Sequence, residues 1–472
     1  MKRIIFLFIF LSSGFYLKAQ IHLPSIIGDQ MVLQQKAKTQ LWGWSDDNQQ
    51  VELTTSWDNK KYTSEIATDN KWTFNLKTPI AGGPYTLTFK SGNQNIILKD
   101  VMIGEVWLCS GQSNMEMALS GKPNQPILNS DSLIANSTNP QIKFFKAERT
   151  ISNEPQKDVK GMWVQSNPAN AKDFSALGYQ FASMLSKKLN VTVGIIQSAW
   201  GGTPIRAWMS SNELQKFPDM SAKNKGEVPS NPSVLYNGMI APLAPYSIKG
   251  FLWYQGENDH KNYYKEYPYL MEAMINGWRS DWNNEKLPFY FVQIAPWLYS
   301  SDPYMSSPYL RESQLKASHL IKNTGMAVTA DIGSNKSIHP PDKTKVAERL
   351  LKIALANDYH QKNVVWLGPE VKKVKMNDDK AVIKFVNVAN GLEMNPSSSS
   401  NFEIAGEDQK FYPAKAKIVS KNQLIIESDE VKKPVAVRYG FQDFFIGNLY
   451  NSAGLPASPF RTDQWEIVKT KK

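Results

Sequence analysis

The sequence predicts an α/β protein: a mostly parallel sheet flanked by helices, with additional β-rich regions at the N- and C-terminal ends. Three observations predict it. Segments near both ends alternate apolar and polar residues, strand-like and helix-like patterns alternate between them, and Gly, Asn, Asp and Pro punctuate the joins. Strands that alternate with helices are joined by right-handed crossovers, which cover both faces of a parallel sheet. A chain of 472 residues holds two to four domains at roughly 100–200 residues each, so a single small module is excluded.

The elements follow in order. Residues 1–19 open with Lys2 and Arg3, run through apolar Ile4 to Leu11 and end at Lys18-Ala19, the layout of a secretory leader; export to the periplasm or the extracellular medium is expected. Residues 20–100 form an N-terminal β domain, with segments such as Val51 to Thr55 and Tyr85 to Phe89 alternating with period two. The α/β domain is expected over 101–357. Its strands are Glu105 to Cys109, Val193 to Ile196, Gly250 to Tyr254, Phe289 to Ile294 and Met326 to Ala330. Helices are expected from Phe174 to Leu189, Tyr264 to Trp282 and Leu310 to Ile321, with a last one starting at Pro341. Strand-like runs return over 358–472, including Ala381 to Val386, Gln423 to Ile426 and Val435 to Tyr439.

Composition narrows the function classes. Cys109 is the only cysteine, which excludes an intrachain disulfide and a lipid-anchored mature N-terminus. No run after the leader approaches the ~20 apolar residues of a membrane span. The net charge of +11 comes from scattered lysines without a zinc knuckle or a recognition-helix signature. No nucleic-acid partner is expected; the charge favours solubility and anionic substrates. Aromatic residues make up 11%, enough both for the core and for stacking on sugar rings.

Four polar or Gly-rich segments follow four of the predicted strands, where an open α/β sheet places its ligands. In the first, Ser110-Gly111-Gln112-Ser113-Asn114-Met115, Gly111 permits a tight turn and Ser113 heads the next helix, either as an exposed hydroxyl or as an N-cap. The second, Ser198 to Pro204, contains Gly201-Gly202, whose main chain can approach a ligand and contribute an oxyanion donor. Asn258, in Trp253-Tyr254-Gln255-Gly256-Glu257-Asn258-Asp259, can add a side-chain donor. The fourth runs from Asp331 to Pro340 and holds His339, the best placed of five histidines to act as the base that a serine needs. Arg206, close after the Gly-Gly turn, is a candidate partner for a substrate carboxylate. No His-x-x-x-His or comparable spacing suggests a metal.

Read together, Gly111 to Met115, Trp200 to Thr203, Tyr254 to Asp259 and Ser337 to Pro340 resemble the ordered blocks of the sialate O-acetylesterase family within the SGNH hydrolases. Met31 to Gln35 and the segments Asn448 to Asn451 and Gly454 to Asp463 extend the likeness over nearly the whole mature chain. The resemblance implies an SGNH-hydrolase-like fold and a serine esterase that removes acetyl groups from sialic acids or related sugars, with no metal or cofactor. It implies Ser113 as nucleophile, His339 as base, and an oxyanion hole from the Ser113 backbone, Gly201 or Gly202, and Asn258. Gln255, Glu257 and Arg206 are the expected substrate contacts.

Many members of the family carry an acid two or three positions before the histidine; here Ser337 and Lys336 stand there. Asp331 is the first choice for the third triad member. Glu257 or a backbone carbonyl are alternatives, and a Ser-His dyad stays open. Other substrates are acetylated xylan or another acetylated glycan. A non-catalytic carbohydrate-binding protein is the rival from a different class.

Overall fold

The computed structural model describes residues 20–46, 49–66, 69–222, 224–299, 306–395 and 401–465, so the expected leader and the polar loop at 397–400 lie outside the described residues. A mixed sheet forms its centre. In chain order the strands of its main run are β1 (Gln94–Gly111), β2 (Asn139–Lys146), β3 (Trp163–Ser166), β4 (Val193–Ala199), β5 (Gly250–Tyr254), β6 (Phe289–Val292) and β7 (Thr324–Ala327). They lie in the order β3-β2-β4-β1-β5-β6-β7, and within this run every neighbouring pair is parallel except β2 with the edge strand β3.

Burial on both faces explains why these strands are continuous apolar runs. All five residues of β5 are buried, with Phe251 and Trp253 in one core and Leu252 and Tyr254 in the other. Four long helices cover the faces: α2 (Ala176–Leu189), α3 (Tyr267–Asp281), α4 (Ser307–Leu320) and α5 (Lys343–Asn357), while α1 (Ser113–Glu116) is a single turn after β1. Helices α2 and α5 pack together on the Leu252 face, and α3 and α4 on the Trp253 face. None of the described helices is long and apolar enough to cross a membrane.

Capping moves two of the expected helix starts. Ser175 accepts the Gly178 N–H at 3.0 Å and begins α2 after Phe174. Asp342 accepts the Lys345 N–H at 3.0 Å, so α5 starts at Lys343 and Pro341 lies outside it. The Pro341 carbonyl instead accepts the Leu128 N–H at 3.0 Å, which docks the loop before α5 onto the chain after α1.

β1 is shared by two structures. Its first half pairs antiparallel with Gly82–Ser91 of the N-terminal β region, and its second half lies between β4 and β5. In that β region, Trp72 is fully buried with its ring 5.5 Å from Phe74 and 5.7 Å from Phe89. Trp42, Trp107, Trp208, Trp253 and Trp278 are likewise buried, so much of the aromatic content is core. The C-terminal strands, among them Lys380–Val386, Gln423–Glu427 and Ala436–Tyr439, enclose a separate core of Ile383, Phe385, Ile404, Leu424 and Tyr439.

Arg349 on α5 clamps the loop after β7. Its guanidinium donates to the Val328 carbonyl at 2.6 Å and to both Asp331 oxygens at 2.8 and 2.7 Å. The two side chains are only 8% and 4% exposed, so Asp331, expected to orient His339, is the buried partner of an arginine instead. Fork geometry favours this pairing. Truncating one member of such a pair strands the other charge, so Arg349→Ala is expected to cost about 3–5 kcal/mol. Thermal unfolding of wild type and variant checks this; an unchanged midpoint would remove the clamp from the account.

Candidate active site

Register brings the site segments together before any side chain is considered. Gly111, the last residue of β1, lies opposite Ala199 at the end of β4 and Tyr254 at the end of β5. The three strands therefore finish level. The turns that follow leave from one edge of the sheet: from β1 the chain runs toward β2, and from β5 it runs the opposite way, toward β6. Gly111 is required there: at φ +132° it approaches β5 so closely that a Cβ would stand 2.2 Å from the Tyr254 carbonyl oxygen.

The turn after Gly111 then reaches outward with almost every residue. Gln112 donates its N–H to the Tyr254 carbonyl at 2.9 Å, and its Oε1 accepts N–H groups from Gly256 at 3.4 Å and Asn258 at 3.3 Å. Asn114 donates to Glu257 Oε1 at 2.5 Å and to the Ile338 carbonyl at 3.2 Å, and its Oδ1 accepts from Lys343 Nζ at 2.5 Å. Glu116 accepts the Gly201 N–H at 2.9 Å on one oxygen and is paired with Arg149 through the other. Ser113, among these, is only partly buried.

These bonds solve a problem of distance. His339 follows β7, which lies three strands from β1 in the sheet. Its loop is drawn back by Asn114 on Ile338, by Leu128 on Pro341 and by Lys343 at the start of α5. As a result His339 Nε2 stands 2.7 Å from Ser113 Oγ, and His339 Nδ1 stands 2.7 Å from Gln125 Oε1. Because the amide oxygen can only accept, Nδ1 carries the proton and Nε2 is free to accept from the serine. Ser337, in a place where the family often has an acid, accepts the His339 main-chain N–H at 3.0 Å.

Burial, then the charges of Lys343 and Lys122, hold the His339 imidazole down to about 4, so it is neutral near pH 7. Burial also pushes the Glu257 carboxyl up and the Lys343 ammonium down to about 7. Asn114, hydrogen-bonded to both, joins them into one buried network. A serine hydroxyl held on a neutral, oriented imidazole is the arrangement of an activated nucleophile and its base.

Several expected site residues lie elsewhere. Gln255 is fully buried, donating to Asp259 at 2.5 Å and accepting from the Tyr267 hydroxyl at 2.8 Å, so it braces the loop rather than facing substrate. Glu257 is likewise turned inward, onto Asn114. In this block the exposed residue is Asn258, whose amide donates one N–H to the Gly202 carbonyl at 2.8 Å and keeps a second. The Gly201 N–H, expected as an oxyanion donor, is engaged by Glu116. Gly202 is exposed at φ +74°, with nothing within 4 Å of where a Cβ would stand. Arg206 donates to the carbonyls of Ala222 at 3.1 Å and Met220 at 3.4 Å. Arg149, paired with Glu116, is centred 5.2 Å over the Trp200 ring.

Gln125, Lys343, Glu116 and Arg149 are the residues that sequence reasoning missed. Glu116 carried a readable signal, since it lies three positions after Ser113 in the same helical turn. Gln125 sits in a loop without period or motif, and nothing local distinguishes it.

Comparison with known proteins places the chain in a family. Residues 103–361 match the carbohydrate esterases described as sialic acid-specific acetylesterases. The sialate O-acetylesterases of Pongo abelii and Homo sapiens are each 30% identical, covering 92% of this chain and 91% of theirs. A crystal structure of a carbohydrate acetylesterase from Xanthomonas citri is 35% identical and superposes with a TM-score of 0.86, covering 94% of this chain and 100% of that one. The chain is therefore an esterase that belongs to the sialic acid-specific acetylesterase family of carbohydrate esterases.

Proposed function

We propose that the protein is an exported enzyme that hydrolyses O-acetyl groups on sialic acids through an acyl-enzyme formed on Ser113. The observation that carries this reading is the 2.7 Å approach of Ser113 Oγ to His339 Nε2. His339 takes the hydroxyl proton as Ser113 attacks the acetyl carbonyl, and the proton passes to the departing sugar oxygen as the ester C–O bond breaks. Water, deprotonated by the same imidazole, then attacks the acetyl-serine; acetate leaves and the serine recovers its proton. The Asn258 amide, the Ser113 N–H and the Gly202 N–H are assigned to the oxyanion.

Three features support the substrate and setting. The net charge of +11, which stays at +8 without Lys2, Arg3 and Lys18 of the expected leader, suits an anionic sugar, the Arg149 guanidinium lies over the Trp200 ring, and the first 19 residues have the pattern of a leader. A second reading, hydrolysis of acetylated xylan or another acetylated polysaccharide, fits the similarity to the Xanthomonas citri carbohydrate acetylesterase equally well. Pocket residues, not the reacting pair, separate the two.

Ser113→Ala is expected to abolish acetate release and labelling by a serine-reactive phosphonate; an undiminished rate on an acetyl ester would falsify the assignment. Asn258→Ala should lower kcat by roughly 10²–10³-fold, measured on the same ester. Because a protonated imidazole has no lone pair for the Ser113 proton, kcat/KM should stay level below neutral pH and fall only as pH approaches about 4. A limb near the ordinary histidine value, about 6.5, would contradict that. Acetate release from O-acetylated sialic acid and from acetylated xylan, assayed side by side, separates the two substrate readings by which is cleaved faster.

A further inference from the structure

We infer that Gln125 fills the place an acid holds in a Ser-His-acid triad, as a positioning residue that fixes the proton of His339 on Nδ1 with a neutral acceptor. The inference rests on the Ser113–His339 reading and asks what orients the base within it.

Geometry assigns the role. Gln125 Oε1 lies 2.7 Å from His339 Nδ1, on the side of the ring away from Ser113. Among the described residues, four acidic side chains of the site segments are committed to other partners. Asp331 is held by Arg349, Asp342 caps α5, Glu257 accepts from Asn114, and Glu116 accepts from Arg149 and Gly201. The ionisable side chains that act on the imidazole are Lys122, from the loop that carries Gln125, and Lys343 of α5, itself faced by Glu257 and Asp342.

The loop is built to hold this amide still. Lys122 and Gln125 exchange backbone hydrogen bonds at 3.0 and 2.9 Å, which closes a tight turn around Pro123 and Asn124. Gly121 enters it at φ +73° while donating to the Ala118 carbonyl at 2.9 Å. Leu128 then bonds Pro341 at 3.0 Å, tying the loop to the segment that carries His339. With both sides of the Gln125–His339 contact anchored, the ring rotation that would present the protonated nitrogen to Ser113 is blocked.

A neutral acceptor differs from a carboxylate in one measurable respect. It fixes the tautomer but adds no negative charge to stabilise the imidazolium formed during attack. Converting Gln125 to Glu keeps an acceptor at the same reach and supplies that charge, whereas Leu removes the acceptor at similar volume.

The test is a pH–rate profile on a soluble acetyl ester for wild type, Gln125→Glu and Gln125→Leu, with thermal midpoints and phosphonate labelling recorded for each. Gln125→Leu is expected to lower kcat roughly 10–10²-fold with little change in KM. Gln125→Glu should retain far more activity than Leu and move the acid limb of kcat/KM upward by about 1–3 pH units. A merely structural role would shift midpoints without moving the limb. A limb unmoved in Gln125→Glu, or a kcat unchanged in Gln125→Leu, overturns the inference. Ser113→Ala and His339→Ala run beside them separate the two levels. If they are inactive while the Gln125 variants match wild type, only the role of Gln125 fails; if they are active, the Ser-His reading itself fails.

Discussion

Asn114 makes hydrogen bonds to Glu257, Ile338 and Lys343, residues 143, 224 and 229 positions away in the chain, and the arrangement of the site follows from those contacts. An amide is suited to this because it donates twice and accepts at one oxygen. Here the donors hold a carboxylate and a carbonyl while the oxygen holds an ammonium. The network is buried, where each hydrogen bond counts for more than in water and each vacancy costs more. Asn114 stands next to Ser113, so the loop that carries His339 is fixed from the neighbour of the serine it meets.

That buried network has an electrostatic consequence at the surface of the site. Lys343 is needed by Asn114 and faces Glu257, yet its charge, after burial, also disfavours protonation of His339. The base is thereby kept neutral, and the proton on its far nitrogen meets an amide. On the other flank, Glu116 is balanced by Arg149 and by the Gly201 N–H, so its charge is engaged away from the imidazole. The inward side chains of Gln255, Glu257 and Asp259 give the third block a structural use: they brace a turn that presents Asn258.

Much of this was legible because it depends on neighbours in sequence. Strands buried on both faces are apolar at every residue, as at β5, and helices one-sided against the sheet repeat their apolar residues with helical spacing, as at α5. Segments that follow such strands emerge at one edge of a parallel sheet, which is why Ser113, Gly201, Asn258 and His339 could be grouped before any coordinates. Helix starts were less legible. Ser175 and Asp342 act through a side-chain oxygen aimed at one N–H, and the apolar period carries no record of that bond.

By itself, then, the sequence determined the α/β alternation and the strand-end segments that carry Ser113 and His339, since each is set by local periodicity and chain direction. Only the tertiary structure decided which polar side chains face which. Asp331 and Gln125 are both polar and both outside the long helices and strands, but an arginine on α5 reaches the first and the histidine ring reaches the second. Partner choice among buried polar groups is settled by distances of a few ångströms between chain segments far apart in sequence, a quantity that composition and spacing do not encode.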